Sequence, residues 1–266
     1  MYSSAIFASA SESLEAASRR KLDRICQKLD LQPSDHVVEI GTGWGGFALF
    51  AAANYGCRVT TTTISAEQHA LAVERVAAAG LQDRITVLLN DYRDLDGSYD
   101  KLVSIEMIEA IGHTYLDTYF EKCAALLKPD GLAMIQAITI EDTRYQQALD
   151  SVDFIKRHVF PGSFIPCVSA MLDASARVSD MRLLNLEDIG PSYAITLNHW
   201  RKRFLGRLDD VRKLGYDERF VRMWEYYLCY CEGGFIERSI GTAQMLFARP
   251  GSRRAQYIPA LDGTAA

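Results

Sequence analysis

The 266-residue chain has no long apolar run: the longest strongly apolar stretch, Phe47 to Ala53, is far shorter than a membrane-spanning helix, which needs about 20 residues. The opening Met1-Tyr-Ser-Ser-Ala-Ile-Phe7 has neither the charged start nor the extended apolar segment of a secretory signal. Basic excess is also missing. Lys and Arg number 29 against 34 Asp and Glu, a formal net charge of -5, so no global positive field draws the chain onto nucleic acid. Cysteines are few, and Cys26, Cys57, Cys123, Cys167, Cys229 and Cys231 are scattered through apolar segments, as reduced buried thiols would be rather than a disulfide framework. The nearest pair, Cys229-Tyr-Cys231, has the wrong spacing for a zinc knuckle, and no second Cys/His pair follows it, so no metal site is expected. Together these absences predict a cytoplasmic protein. Repeats and low-complexity stretches are lacking, and only the tail over 251–266 reads as loose.

Hydrophobic residues make up 48% of the chain, enough to bury the core of one large α/β domain, expected over 1–250. Helical apolar spacing from Leu14 to Leu31 is broken by Pro33-Ser-Asp35 before the short apolar strand Val37 to Ile40. The alternation then repeats, with helices over Phe47–Asn54, Ala66–Ala79 and Tyr115–Leu127 and strands at Arg58–Thr63, Ile85–Leu89, Lys101–Ile105 and Leu132–Ile138. Lys128-Pro-Asp-Gly131 reads as the turn between the last pair. Strands alternating with helices predict right-handed crossovers and a parallel sheet covered on both faces. After Ile140 the rhythm is lost, and further strands are expected at Leu183–Leu186 and Gly241–Arg249. Helical, aromatic segments at about 141–180 and 189–240 are expected to form a cap inserted between these last strands, with amphipathic helices at Leu197–Phe204 and Glu218–Cys231.

The segment richest in chemistry is Val37-Val-Glu-Ile-Gly-Thr-Gly-Trp-Gly-Gly46: a strand ending in the acid Glu39, glycines at 41, 43, 45 and 46, then a helix. Glycines at a strand-to-helix turn allow close backbone approach to a ligand, and the helix start offers free N–H groups. The spacing E-x-G-x-G-x-G-G departs from the dinucleotide fingerprint G-x-G-x-x-G. It resembles the turn with which class I methyltransferases hold S-adenosylmethionine. The second strand runs into Thr63-Ile-Ser-Ala-Glu-Gln68, where Thr63 and Gln68 stand in for the acid usual at a ribose. Asn90-Asp-Tyr-Arg-Asp94 follows the third strand, with Asp91 as an acceptor for an adenine amino group and Tyr92 as an aromatic face.

Seven segments taken in order are similar to the catalytic domain of cyclopropane-fatty-acyl-phospholipid synthases: Tyr2-Ser-Ser-Ala-Ile-Phe7, Glu39 to Gly46, Thr63 to Gln68, Asp91-Tyr-Arg-Asp-Leu95, Ser104-Ile-Glu-Met-Ile-Glu-Ala-Ile-Gly112, Phe160-Pro-Gly162 and Tyr226-Tyr-Leu228. The resemblance covers nearly the whole chain, to about Arg249. It implies a Rossmann-like sheet with a helical cap over the active site and an S-adenosylmethionine cofactor held by Tyr2, Ser3, Glu39, Gly41, Gly43, Thr63, Gln68, Asp91 and Tyr92. The implied reaction adds a methylene group to the double bond of an unsaturated acyl phospholipid. An alkene is a weak nucleophile, so it must be held against the methyl group in a dry slot, and a base must lie within reach of the resulting cation.

In the family that base is thought to be a bound bicarbonate. The groups implied to hold it are Glu109, Tyr193 and Ile138, together with two positions where this chain departs: Ser4 in place of a cysteine and Gln136 in place of a histidine. Ser4 keeps a backbone N–H, and Gln136 offers a donor and an acceptor but does not titrate. If the histidine only orients the anion, Gln136 suffices. If it relays a proton, methyl- or methylene-branched products become alternatives to the cyclopropane. A small-molecule N-methyltransferase and an inactive binder of lipid or cofactor stay open as rivals, and Glu109 read alone could simply cap a helix.

The aromatic set Phe154, Phe160, Phe164, Trp200, Phe204, Trp224, Tyr226, Tyr227, Tyr230 and Phe235 suits an acyl slot and a plain helical core equally. Arg201-Lys-Arg203 with Arg207 reads either as a solvated charge run or as a contact for anionic head groups at the inner membrane surface. Members of the family usually carry a further N-terminal domain ahead of the Tyr-Ser-Ser loop, and homodimerisation is open.

Overall fold

The computed structural model describes residues 1–9 and 11–254. Of the tail expected at 251–266, residues 255–266 lie outside the described residues. Before them, the Gly251 N–H donates to the Pro129 carbonyl at 2.9 Å and the Arg254 guanidinium to the Gln27 carbonyl at 2.9 Å.

Ten helices and seven strands are present among the described residues. Helix α1 (Leu14–Leu29) starts where the Ser13 hydroxyl accepts from the Ala16 N–H, and it ends at Asp30 in the left-handed conformation. There follow β1 (His36–Ile40), α2 (Gly46–Tyr55), β2 (Arg58–Thr62), α3 (Ala66–Ala78), β3 (Ile85–Leu88), β4 (Tyr99–Ile105), α4 (Leu116–Leu126) and β5 (Leu127–Ile140). The sheet order is β3-β2-β1-β4-β5, then β7 (Ile240–Ala248) and β6 (Arg182–Asp188) at the far edge.

The first five strands are parallel, as the alternation predicts, but β7 runs antiparallel between β5 and β6. The two strands after Ile140, where the alternation ends, add to the far edge because the chain after β6 turns back through helices rather than completing another crossover. The Lys128 to Gly131 segment also differs from the turn expected. Strand β5 first pairs Leu127 with Tyr99, then resumes at Leu132 opposite Lys101, with the intervening residues bulging out. The Arg249 N–H donates to the Gly131 carbonyl at 3.0 Å, so the bulge is closed by the chain leaving β7.

Both faces of the sheet are covered. Alternate residues of β1 point oppositely: Val38 and Ile40 join a core with Tyr119 and Phe120 of α4, while Val37 joins one with Ile25 of α1 and Phe47 of α2. Between β5 and β6 lie α5 (Asp142–Leu149), α6 (Phe154–His158) and α7 (Val168–Val178). Met171 and Ala174 of α7 are buried in the α4 core, so this helix belongs to the layer covering the sheet. Between β6 and β7 lie α8 (Gly190–Leu205), α9 (Leu208–Lys213) and α10 (Glu218–Ile236). Tyr193 and Leu197 of α8 bury against Leu228 and Phe235 of α10, forming a separate apolar cluster that also takes in Ile138. No helix among the described residues is long and apolar enough to cross a membrane. All six cysteines are free, and four are buried; Cys229, expected among them, is exposed on α10, and Cys231 is partly buried.

Candidate active site

The C-terminal ends of the parallel strands carry both parts of the site. At the end of β1 the glycine turn takes conformations that side-chain-bearing residues rarely adopt: φ is +100° at Gly41, +51° at Gly43 and +80° at Gly45. A Cβ on Gly41 would lie 3.1 Å from Met107 Cγ, and one on Gly43 would lie 3.5 Å from the Tyr2 ring. The missing side chains therefore make a cradle between the turn, the N-terminal segment and the start of the Met107 loop. Gln68 donates to the Tyr2 hydroxyl at 3.1 Å and accepts from the Thr63 hydroxyl at 2.9 Å, which joins three of the expected cofactor residues. The Asp91 carboxylate caps its own loop, accepting from the Arg93 N–H at 2.9 Å and pairing with its guanidinium at 2.8 Å. A carboxylate has acceptor capacity left after such bonds. Tyr92 stands edge-on to Tyr119, with ring centroids 5.8 Å apart.

Glu39 is buried at the end of β1. Burial pushes its carboxyl up to about 8, against a downward pull from Thr61 and Lys21. Lys21, on the buried side of α1, is fully buried and donates to the Ser3 hydroxyl at 2.8 Å. Burial lowers its ammonium to about 8, opposed by the charges of Glu106 and Glu39.

The second part of the site centres on Glu106, one residue past β4, which sequence reasoning did not single out. Its φ of +49° is a conformation that costs a non-glycine residue free energy. One carboxylate oxygen, Oε1, accepts from the Ser4 N–H at 3.0 Å and from Gln136 Nε2 at 2.7 Å. The other, Oε2, accepts from the Tyr193 hydroxyl at 2.7 Å. Burial pushes the Glu106 carboxyl up, while Lys21 and these three donors pull it back. Ser4, Gln136 and Tyr193, expected around a bicarbonate, thus converge on a carboxylate that the chain itself supplies.

Glu109 stands apart from that convergence. It accepts from the Ile138 N–H at 2.5 Å through Oε1, and its buried Oε2 has no partner among the described residues. Burial, then the neighbouring Glu106 charge, pushes it up to about 8. The Ile138 side chain packs into the cap cluster, which places apolar surface beside the two carboxyls. Tyr193 itself stacks on Phe235, with centroids 4.4 Å apart, and its hydroxyl is held well above its ordinary value by burial and the Glu106 charge.

A buried polar row supports Gln136 from behind. Gln136, Gln244 and Glu187 are cross-strand neighbours on β5, β7 and β6. Gln244 Nε2 donates to Gln136 Oε1 at 3.0 Å, and Lys28 Nζ donates to Gln244 Oε1 at 3.0 Å while pairing with Glu187 at 2.5 Å. Lys28 can only donate and an ionised carboxylate can only accept, so the two ends of the row dictate how both amides point. From α1, Arg24 and Lys28 both face the sheet and pair with Glu187.

The basic cluster on α8 is largely neutralised: Arg201 pairs with Glu232 at 3.0 Å, Arg203 with Glu15 at 2.7 Å and Arg207 with Asp210 at 3.2 Å. That favours the solvated charge run over a head-group contact.

The sequence profile of the mycolic acid cyclopropane synthetase family matches residues 1–245. The chain belongs to this family. Among relatives of the cyclopropane synthetases, a tuberculostearic acid methyltransferase of Mycobacterium tuberculosis is 42% identical over 238 residues, which is 90% of this chain and 56% of the relative. A cyclopropane-fatty-acyl-phospholipid synthase of Escherichia coli is 38% identical over 238 residues, 90% of this chain and 59% of the relative. The chain thus spans little more than half the length of these curated relatives. Among solved structures, a mycolic acid cyclopropane synthase complexed with SAH and CTAB superimposes with a TM-score of 0.86 at 25% identity, covering 93% of this chain and 90% of that one. The sheet with its cap is therefore a class I S-adenosylmethionine-dependent methyltransferase fold, as expected.

Proposed function

We propose that the protein transfers a one-carbon unit from S-adenosylmethionine to the double bond of an unsaturated fatty acyl phospholipid, closing a cyclopropane ring. The observation that carries this reading is the convergence of Ser4, Gln136 and Tyr193, from three distant parts of the chain, on a carboxylate beside the apolar cap cluster. The glycine turn suits the cofactor, because Gly41 and Gly43 hold left-handed backbone angles that keep the turn free of side chains, and a Cβ there would press on Met107 or Tyr2 at its rim. When bound there the cofactor supplies an electrophilic methyl group. Tyr2, Ser3, Gly41, Gly43, Thr63 and Gln68 hold it, with Glu39 beneath the turn and Asp91 and Tyr92 at the adenine end.

The chain's residues do the rest. Ile138 and the cap aromatics exclude water and hold the alkene. With the cofactor held there, the alkene would take up the methyl carbon and a carbocation would be left on the acyl chain. Loss of a proton from the added carbon then closes the ring. The expected bicarbonate does not fit this site, because three of the groups that would hold it are bonded to Glu106. Contact with the membrane surface falls to the cap's exposed aromatic side, where Tyr226 and Tyr230 flank Phe154 and Phe160 lies open. The site's groups all come from one chain, so activity is expected of a monomer as well as of a homodimer.

A second reading, a methyl- or methylene-branched product, rests on Gln136, which does not relay protons. The test is incubation with S-adenosylmethionine and vesicles of a monounsaturated phospholipid, followed by mass spectrometry of the released fatty esters. A cyclopropane ester is expected. A branched ester would establish the second reading, and methylation of amines without lipid would refute both.

A further inference from the structure

The site holds a complete set of donors for an anion, and the anion is already part of the chain. We propose that the Glu106 carboxylate is the base that takes the proton from the methyl-bearing carbocation, so that the reaction needs no dissolved anion. This rests on the reaction proposed above and names its proton acceptor.

The count of lone pairs identifies the atom. A carboxylate accepts at about four sites. On Oε1, the Ser4 N–H and Gln136 Nε2 take both, whereas on Oε2 the Tyr193 hydroxyl takes one. The remaining site on Oε2 accepts the proton. In the step, an Oε2 lone pair bonds to a hydrogen of the transferred methyl carbon, and the C–H pair becomes the second new ring bond at the cationic carbon. The acyl chain becomes neutral, Glu106 becomes a carboxylic acid, and the acid returns its proton to water as product leaves.

Glu109 is the rival and is less suited. Among the described residues it has a single donor, Ile138, and its other oxygen is buried without a partner. Its pairing therefore favours the neutral acid, which has no charge to offer the cation. Burial raises the Glu106 carboxyl too, but its three donors and the nearby Lys21 ammonium, which Glu109 lacks, work against that rise and favour the ionised form. The backbone points the same way. A left-handed glutamate persists only where its side chain contributes something in return, and glycine would sit there without strain.

That conformation supplies the test. Glu106→Gly removes the carboxylate, relieves the backbone and leaves the Ser4, Gln136 and Tyr193 donors around an anion-sized gap. Wild-type protein in carbon-dioxide-free buffer is expected to form product at the same rate as in buffer with added bicarbonate. Glu106→Gly is expected to lose about 100-fold or more, as removal of a general base does, to keep its melting temperature, and to recover at least tenfold of that loss when bicarbonate or formate is added. Glu106→Gln, which still fills the gap, is expected to be as slow and not to recover.

Bicarbonate dependence of the wild type, or full activity of Glu106→Gly without added anion, would overturn the proposal. Calorimetric titration with bicarbonate reads the same point without turnover: no binding by the wild type and binding by Glu106→Gly support it, and binding by the wild type overturns it. Absence of lipid product from the wild type would instead refute the proposed reaction, with the titration still deciding what fills the anion site.

Discussion

The substitution Gln244→Glu keeps the size of the side chain and reverses the polarity of the buried row. Lys28 still finds an acceptor, but the face that donated to Gln136 Oε1 at 3.0 Å now also accepts. Gln136 must turn its amide to donate to the introduced carboxylate, and its carbonyl then faces Glu106 Oε1, where Nε2 stood at 2.7 Å. A hydrogen bond to a charged group contributes about 1.5–3 kcal/mol. One pH unit of carboxylate ionisation corresponds to about 1.36 kcal/mol, so the loss raises the Glu106 carboxyl by roughly one to two units. The negative charge added to the row acts in the same direction. A base must be ionised to work, so the acid limb of the pH–rate profile should move up by the same one to two units, with the maximal rate reached at higher pH and cofactor affinity unchanged. The assay is product formation at saturating S-adenosylmethionine across the acid range. An acid limb that stays in place would refute both the orientation of the row and its action on Glu106.

Three further outcomes are expected. Tyr193→Phe removes the donor at 2.7 Å from Glu106 Oε2 and should lower kcat about 10- to 100-fold, from about 1.5–3 kcal/mol, while the cofactor Kd measured by calorimetry stays within a few-fold. Gly41→Ala places a Cβ 3.1 Å from Met107 Cγ at a φ of +100°; strain of about 1–3 kcal/mol should appear as a lower melting temperature and a cofactor Kd raised about tenfold. Glu109 is held at about 8, above its unfolded value, so the folded chain keeps a proton that the unfolded chain releases. Its stabilising contribution is therefore present below the ordinary carboxylate range and lost as the pH rises towards about 8. Urea midpoints of Glu109→Gln should fall less than those of the wild type across that interval, and equal falls would count against the assignment.

The sheet was legible because its strands are buried on both faces and so read as short continuous apolar runs, as Val37-Val38 does before Glu39. The antiparallel insertion of β7 was not, since strand direction is set by how the intervening helices return the chain and leaves no local mark. The fold brings Tyr2, Gly43, Thr63 and Gln68 together, and it gathers Ser4, Gln136 and Tyr193 on Glu106, with Glu109 to one side. Glu106 was overlooked although it lies three residues before Glu109 in the same quoted segment. Which of two buried acids past a strand end meets Ser4, Gln136 and Tyr193 depends on local backbone angles, and glutamate gives no sign that it adopts the left-handed form. Lys21 and Lys28 were equally hidden, because lysine on a helix is ordinarily at the surface and only the fold shows both fully buried.

The first four residues work as a latch between two events usually treated separately. Tyr2 touches the cradle through Gln68, Ser3 takes the Lys21 ammonium, and the Ser4 N–H reaches Glu106. Neighbouring residues are only about 3.8 Å apart along the backbone, so a ligand that holds Tyr2 in place also helps to keep the Ser4 N–H against the carboxylate. Methyl donor loading and readiness of the proton acceptor are thereby mechanically joined. A chain cut behind Ser4 would lose both at once, and a methyl donor occupying the cradle would shield that peptide segment from proteolysis.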